Sequence, residues 1–274
     1  MAECFPIIIP GAEPFFFKGN STGILISHGY AGTPQSVRFL GEYIASKGYT
    51  VYGVRLDGHG TDYKDMENCN YQDWIQNVEE GYQLLKQFCT RIFIIGQSMG
   101  GTLTLNLASK FPDIKGIILI NAAISTIPIM NEYKSKQFPQ FIEEGEPDIK
   151  AKNVNEITYT KTPLRSIKQL LSLMEHTRNK LHSIHCPTLA FRSDEDHVVP
   201  PENTDYIITH IRSEIKKTIR LYNSYHVASL DNDKEFIAEQ CCLFLEKQSE
   251  KCKADQSEIT APSSSSTQGQ VIKN

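Results

Sequence analysis

Residues Arg91 to Ala108 constrain this chain more than any other stretch. Ile92-Phe93-Ile94-Ile95 is a continuous apolar run, the pattern of a strand buried on both faces. It stops at Gly96-Gln97-Ser98-Met99-Gly100, and Thr102-Leu103-Thr104-Leu105-Asn106-Leu107-Ala108 then reads as a helix. A serine between two glycines, with a strand before it and a helix after it, predicts a sharp strand-to-helix turn with Ser98 at its tip. A side chain at Gly96 or Gly100 would collide with the other arm of the turn or with the neighbouring strand, so both positions call for glycine. The helix N-terminus behind Ser98 leaves free N–H groups that favour developing negative charge. The pattern points to a nucleophilic serine, provided that an acid and a base follow it in the chain.

Strands and helices alternate around this turn. Gly23-Ile24-Leu25-Ile26-Ser27 reads as a core strand that ends at His28-Gly29-Tyr30-Ala31-Gly32. A helix follows from about Gln35 to Lys47, with Val37, Leu40 and Ile44 on one face and Gly48 closing it. Tyr49 to Leu56 is a second strand, leading into Asp57-Gly58-His59-Gly60. Trp74, Val78, Gly81, Leu85 and Phe88 mark the next helix face, and Ile114 to Ile120 a further strand. Pro187 to Phe191 resumes the sheet, a helix covers about Glu202 to Ile211, Thr218 to Tyr222 is the last strand, and Asn232 to Glu246 the closing helix. This alternation predicts an α/β fold with a mostly parallel, doubly wound sheet. At the start, Phe5 to Ile9 and Phe15 to Phe17 read as short strands, the second expected to be buried on both faces.

Two regions depart from the pattern. From about Ser125 to Thr162 the chain is polar and proline-broken, with isolated aromatics such as Phe138 and Phe141 and no evident strand. It reads as a small cap inserted over the strand ends. Pro163 then opens a helix from Leu164 to about Leu181, whose apolar residues Ile167, Leu170, Leu171 and Met174 are expected to pack on the sheet. From Lys247 onward the apolar content is too low to form a core. The expected division is an α/β domain over 1–246, its cap at about 125–162, and a disordered polar tail over 247–274.

With 274 residues, 40% of them hydrophobic, the chain can bury one sizeable core. A net charge of −4 and no basic block argue against nucleic acid and anionic membranes as partners. No stretch approaches the roughly 18 apolar residues of a membrane span, so stable membrane insertion is not expected. Seven cysteines, an odd number without zinc-site spacing, read as reduced thiols. Met1 to Phe17 carries Glu3, Glu13 and three prolines rather than a secretory signature. The expected location is the cytoplasm.

A serine hydroxyl needs a base to take its proton, and the base needs an acid to fix its tautomer. In a strand–turn–helix arrangement of this kind the chain order is nucleophile, acid, base. Of eight histidines, His28 and His59 lie upstream of Ser98. His176, His182 and His185 precede any acid at the end of a downstream strand, His197 lies within the acid loop, and His210 falls inside a helix. His226, just after the last strand, remains as the base. The acid is sought in the loop after Phe191, where Asp194, Glu195 and Asp196 are available. Asp196, in Asp-His-Val-Val-Pro, is favoured because Val198 and Val199 would anchor the loop, with Asp194 as the alternative. The oxyanion of acyl attack needs two N–H donors. The backbone N–H of Met99, the residue after the serine, is one; the backbone N–H of Tyr30, in the loop after the first core strand, is the other.

At these residues the chain resembles the bacterial carboxylesterases of the monoacylglycerol lipase type, within the α/β-hydrolases. The resemblance runs from Pro14 to Glu246. It is carried by Pro14-Phe15-Phe16-Phe17, His28-Gly29-Tyr30-Ala31-Gly32, Gly48-Tyr49, Gly58-His59-Gly60, Gly96-Gln97-Ser98-Met99-Gly100-Gly101, Thr162-Pro163, Cys186-Pro187-Thr188, Asp196 and Ser224-Tyr225-His226-Val227. The spacing of 30 residues from Asp196 to His226 suits that family and supports Asp196 over Asp194. The resemblance implies an α/β-hydrolase fold and hydrolysis of short- to medium-chain acyl esters or monoacylglycerols, with a small cap over an apolar pocket. Two departures stand out: Tyr225 replaces a glycine common before the base histidine, and the cap is little like its counterparts. The expected partner is a small-molecule acyl ester, with no metal or organic cofactor. Thioesterases and amidases use the same constellation, and a non-enzymatic ligand receptor on this fold is the alternative of another class.

Overall fold

The structure, a computed structural model, describes residues 6–137 and 140–260, with side chains described through residue 250. The elements run β1 (Phe15–Phe17), β2 (Thr22–Ser27), α1 (Gln35–Ser46), β3 (Thr50–Val54), α2 (Tyr63–Asn68), α3 (Tyr71–Lys86), β4 (Arg91–Gln97), α4 (Met99–Lys110), β5 (Gly116–Ile120) and α5 (Pro128–Asn131). They continue with β6 (Phe141–Glu143), β7 (Lys161–Pro163), α6 (Leu164–Arg178), β8 (Thr188–Ser193), α7 (Glu202–His210), β9 (Lys216–Leu221) and α8 (Lys234–Thr260).

Seven strands form one sheet in the order β1-β3-β2-β4-β5-β8-β9, parallel throughout except for β1, which pairs antiparallel with β3. The apolar runs are continuous because each strand feeds two cores. Leu25, Ile94, Ile117, Leu119 and Ala190 face one cluster, shared with Trp74 of α3, Leu103 of α4 and Leu170 of α6. The intervening residues Ile24, Ile26, Phe93, Ile95 and Ile118 face the other, shared with Leu40 and Ile44 of α1 and Ile237 and Leu245 of α8. Side chains that alternate across a pleat thus require apolar residues at every position of a doubly covered strand. The fold is the mostly parallel, doubly wound α/β sheet that the sequence predicts. No helix among the described residues is long and apolar enough to cross a membrane.

Several sequence expectations are corrected. β1 is an edge strand, so Phe16 is 41% exposed rather than buried on both faces. Residues 6–9 form no strand, and Ile9 instead donates its N–H to the carbonyl of Gly60; Phe5 lies outside the described residues. Phe88 falls beyond the end of α3 and is exposed. The apolar face of α6 packs on α4 and α3, and its Leu170 reaches a pocket. The cap does contain strands: β6 pairs antiparallel with β7, Phe141 opposite Pro163. At three residues each they are too short to show a period, and Phe138 lies outside the described residues. α8 does not stop at Glu246 but continues to Thr260, with Gln248 and Ser249 buried. Residues 248–260 contain no Gly or Pro and include Lys, Glu and Gln, which propagate a helix once a packed turn has nucleated it. Residues 261–274 of the expected tail lie outside the described residues.

Candidate active site

The crossover from β2 leads to β3 on one side, and the connection from β4 leads to β5 on the other. The loops leaving the carboxyl ends of these neighbouring strands therefore diverge and open a crevice. Register places Ser27 opposite Gly96, so the His28-Gly29-Tyr30 loop lies beside Gln97-Ser98. Ser98 adopts φ +54°, a conformation that non-glycine residues rarely hold. The turn is tight enough that a Cβ on Gly96 would lie 2.1 Å from the Gly100 carbonyl oxygen. A Cβ on Gly100 would lie 2.3 Å from the oxygen of Ser27 and 2.5 Å from that of His28. Close packing of the turn on β2 thus fixes Ser98 relative to Tyr30.

Three side chains predicted from separate loops converge. The Ser98 hydroxyl is 2.9 Å from His226 Nε2, and His226 Nδ1 is 2.8 Å from Asp196 Oδ2. With Nδ1–H donating to the carboxylate, Nε2 is free to accept the serine proton. The other Asp196 oxygen accepts the N–H groups of Val198 at 3.0 Å and Val199 at 2.7 Å, which locks the carboxylate in its loop. The Asp196 side chain is 2% exposed. Burial opposes a charged imidazole at His226. The Asp196 carboxylate, by charge and by hydrogen bond, outweighs that effect, with Asp148 and Glu156 adding to it, so His226 is held above the ordinary imidazole value.

The alternative acid is engaged elsewhere. Asp194 accepts two hydrogen bonds from Arg220, at 2.9 and 2.5 Å, and this pairing holds its carboxyl below the usual range. His28 and His59 sit behind the Tyr30 loop. His28 Nδ1–H donates to the Gly29 carbonyl at 2.9 Å, and its Nε2 accepts the Leu56 N–H at 3.2 Å. Burial lowers both of these histidines, His59 to about 4. His210 donates to the Tyr206 carbonyl within α7, and His176 contacts Lys180.

The backbone N–H groups of Tyr30 and Met99 have no acceptor among the described residues. Tyr30 also lines the pocket beside Ser98. Its phenol, buried and raised in pKa, donates to Ser166 Oγ at 2.5 Å, and Ser166 in turn donates to the Pro163 carbonyl at 2.7 Å. The loop after β2 is thereby tied to the start of α6.

Residues missed from sequence complete the site. Asn121, just past β5, donates Nδ2–H to Ser193 Oγ at 2.9 Å, to the Tyr225 carbonyl at 3.3 Å and to the His226 carbonyl at 2.9 Å, and accepts from the Ser193 N–H at 2.8 Å. It links the loops that carry Asp196 and His226 and holds Tyr225 by its backbone carbonyl. A polar residue directly after an all-apolar strand was the available signal. The cap contributes Asp148 and Glu156, for which the sequence carried no signal. Burial pushes the Glu156 carboxyl up to about 7. The pocket encloses about 120 Å³. Ile127, Met130, Leu170, Val198, Val199 and Val227 supply its apolar wall, the exposed Glu144 and Glu146 its polar rim, and Glu156 a further carboxyl in the lining.

The sequence profile of a family described as "Hydrolase_4: Serine aminopeptidase, S33" matches residues 20–233. A thermostable monoacylglycerol lipase of Bacillus sp. (strain H-257) is 48% identical over 248 residues, spanning 90% of this chain and 99% of the relative. A carboxylesterase of Bacillus subtilis (strain 168) is 30% identical over 241 residues, 86% of this chain and 96% of that protein. The solved structure of a metagenome-derived lipolytic enzyme superposes with a TM-score of 0.86 at 41% identity, covering 88% of this chain and all of that one, 100%.

Proposed function

Because the chain belongs to the Hydrolase_4, serine aminopeptidase S33, family of α/β-hydrolases, we propose that it is a serine carboxylic ester hydrolase acting on short- to medium-chain acyl esters or monoacylglycerols. The observation that carries this reading is the unbroken hydrogen-bond chain from Ser98 through His226 to Asp196 at the floor of an apolar-walled pocket. In the first step Ser98 Oγ bonds to the ester carbonyl carbon while its proton passes to His226 Nε2. Asp196 stabilises the imidazolium and keeps its orientation. The N–H groups of Tyr30 and Met99 receive the tetrahedral oxyanion. The carbon–oxygen bond to the alcohol then breaks, His226 returns the proton to the departing alkoxide, and water repeats the sequence on the acyl-enzyme.

The apolar wall suits an acyl chain, and the carboxylate rim suits a neutral, hydroxyl-bearing alcohol over an anionic one. The described cysteines Cys69, Cys89, Cys186, Cys241 and Cys242 are all free, which supports a reducing, cytoplasmic location. The test is a substrate panel: one acyl chain as p-nitrophenyl ester, thioester and anilide, with monoacylglycerols of rising chain length, alongside fluorophosphonate labelling. Fast ester turnover that is lost in Ser98→Ala supports the reading. Faster thioester or anilide turnover would reassign the leaving group. Stoichiometric labelling without turnover would indicate a receptor.

A further inference from the structure

A segment of the cap lines the pocket beside Ser98 and His226, and carboxylates fasten it there. Asp148 Oδ2 accepts the backbone N–H of His226 at 3.1 Å and that of His197 at 3.1 Å. Its Oδ1 accepts from His197 Nδ1 at 2.8 Å, and its backbone carbonyl accepts the Val227 N–H at 3.1 Å. His226 is the base, and His197 follows the acid Asp196, so a single side chain joins the acid loop, the base loop and the cap. Two residues on, the N–H groups of Lys150 and Ala151 each donate to Asp231 at 2.8 Å, and Asp231 also accepts the Tyr225 N–H at 2.8 Å. The segment is thus bound to the base loop on both sides of His226.

We propose that Asp148 is a positioning residue: it holds the backbone of His226 and the loop of Asp196 in register, and so couples closure of the cap to assembly of the triad. The proposal rests on the triad reading above. A cap that lifted would take four hydrogen bonds from these two loops at once. It would also remove two of the three acidic groups that surround the imidazole, Asp148 and Glu156, and leave only Asp196 from the loop after β8. Lys150, the nearby cation, pairs with Glu195 at 3.0 Å and lies over the Tyr225 ring.

The test compares Asp148→Ala and Asp148→Asn in the full chain, with kcat, KM and the pH profile of kcat/KM for a p-nitrophenyl ester. Loss of hydrogen bonds to a charged acceptor is expected to lower kcat on the order of tenfold in Asp148→Ala, with KM within about twofold. Asp148→Asn keeps acceptor oxygen but no charge. It should recover most of kcat and move the acidic midpoint to lower pH, because the imidazolium loses a neighbouring anion. An Asp148→Asn midpoint equal to that of the unaltered protein, or an equal kcat in all three, overturns the proposal, even if thermal stability falls. Failure of the triad reading shows separately, as ester turnover retained in Ser98→Ala with Asp148 untouched.

Discussion

Around Ser98, position is set by regular elements. The serine sits between β4 and α4, β2 lies hydrogen-bonded alongside, and the glycines let backbone touch backbone. Over the same pocket, the stretch of the cap from Glu144 to Thr160 contains no helix or strand, and it is held by side chains bonded to backbone, such as Asp148 and Asp231. One half of the site owes its geometry to packed sheet and the other to a few carboxylates. Substitutions in the first half should therefore cost chemistry or the fold outright, and those in the second should act by degrees.

The largest effect is expected in the triad. Ser98→Ala should lower kcat/KM for a p-nitrophenyl ester by roughly 10⁴- to 10⁶-fold. Circular dichroism should show the same fold, because the change removes one oxygen. Asp196→Asn should cost about 10⁴-fold, since an amide stabilises the wrong imidazole tautomer. Asp194→Asn, in the same loop but bound to Arg220, should leave kcat/KM within about twofold. If the two aspartate variants behave alike, the assignment of the acid is wrong.

Next is the packing of the turn. In Gly100→Ala the added methyl meets two carbonyl oxygens of the β2 loop, which belong to backbone and cannot swing away. Destabilisation of about 3 kcal/mol is expected, read as a lower denaturant midpoint. Activity should fall as well, because relief of the clash parts Ser98 from Tyr30. Full stability in this variant would mean that the turn is looser than its geometry implies.

A smaller effect concerns pH. A protonated Nε2 cannot accept the serine proton, so kcat/KM should rise with pH through a midpoint above the ordinary 6.5 of histidine, given the carboxylates around His226. The stability contribution has the opposite sign. A folded-state value raised above the unfolded one stabilises the fold below 6.5, and that contribution is lost as pH climbs through the raised value. An acidic midpoint below 6.5 would contradict the influence of Asp196.

The contrast between the two halves also governs what could be read from the residues alone. A doubly covered strand must be apolar at every position, and a strained turn against β2 must use glycine, so β4, its turn and Ser98 leave a strong trace. The convergence of His226 and Asp196 on Ser98 was reachable because chain order and loop position left few choices. Asn121 left a fainter mark, as one polar residue at the end of an apolar strand. Asp148 and Glu156 left none: they act through tertiary contacts, and no period or neighbour distinguishes them from solvated acids. α8 ran past its expected end because a polar sequence without Gly or Pro extends a packed helix as readily as it forms a coil.

The smallest effect is the sharpest test of the contrast. Gly145 lines the same pocket as Gly29, but a Cβ built on it meets nothing within 4 Å, and its backbone is not in the left-handed region. Neither a close approach nor an unusual dihedral requires glycine there. Gly145→Ala should therefore change stability by less than about 0.5 kcal/mol, whereas the same methyl at Gly100 costs several times as much. Turnover of a short acyl ester should stay near that of the unaltered chain, and discrimination between short and long acyl chains should shift only slightly, because the methyl enters open space at the rim. If Gly145→Ala unfolds as readily as Gly100→Ala, the cap is packed as tightly as the turn beneath it. The gradation of effects from the sheet outward would then have to be abandoned.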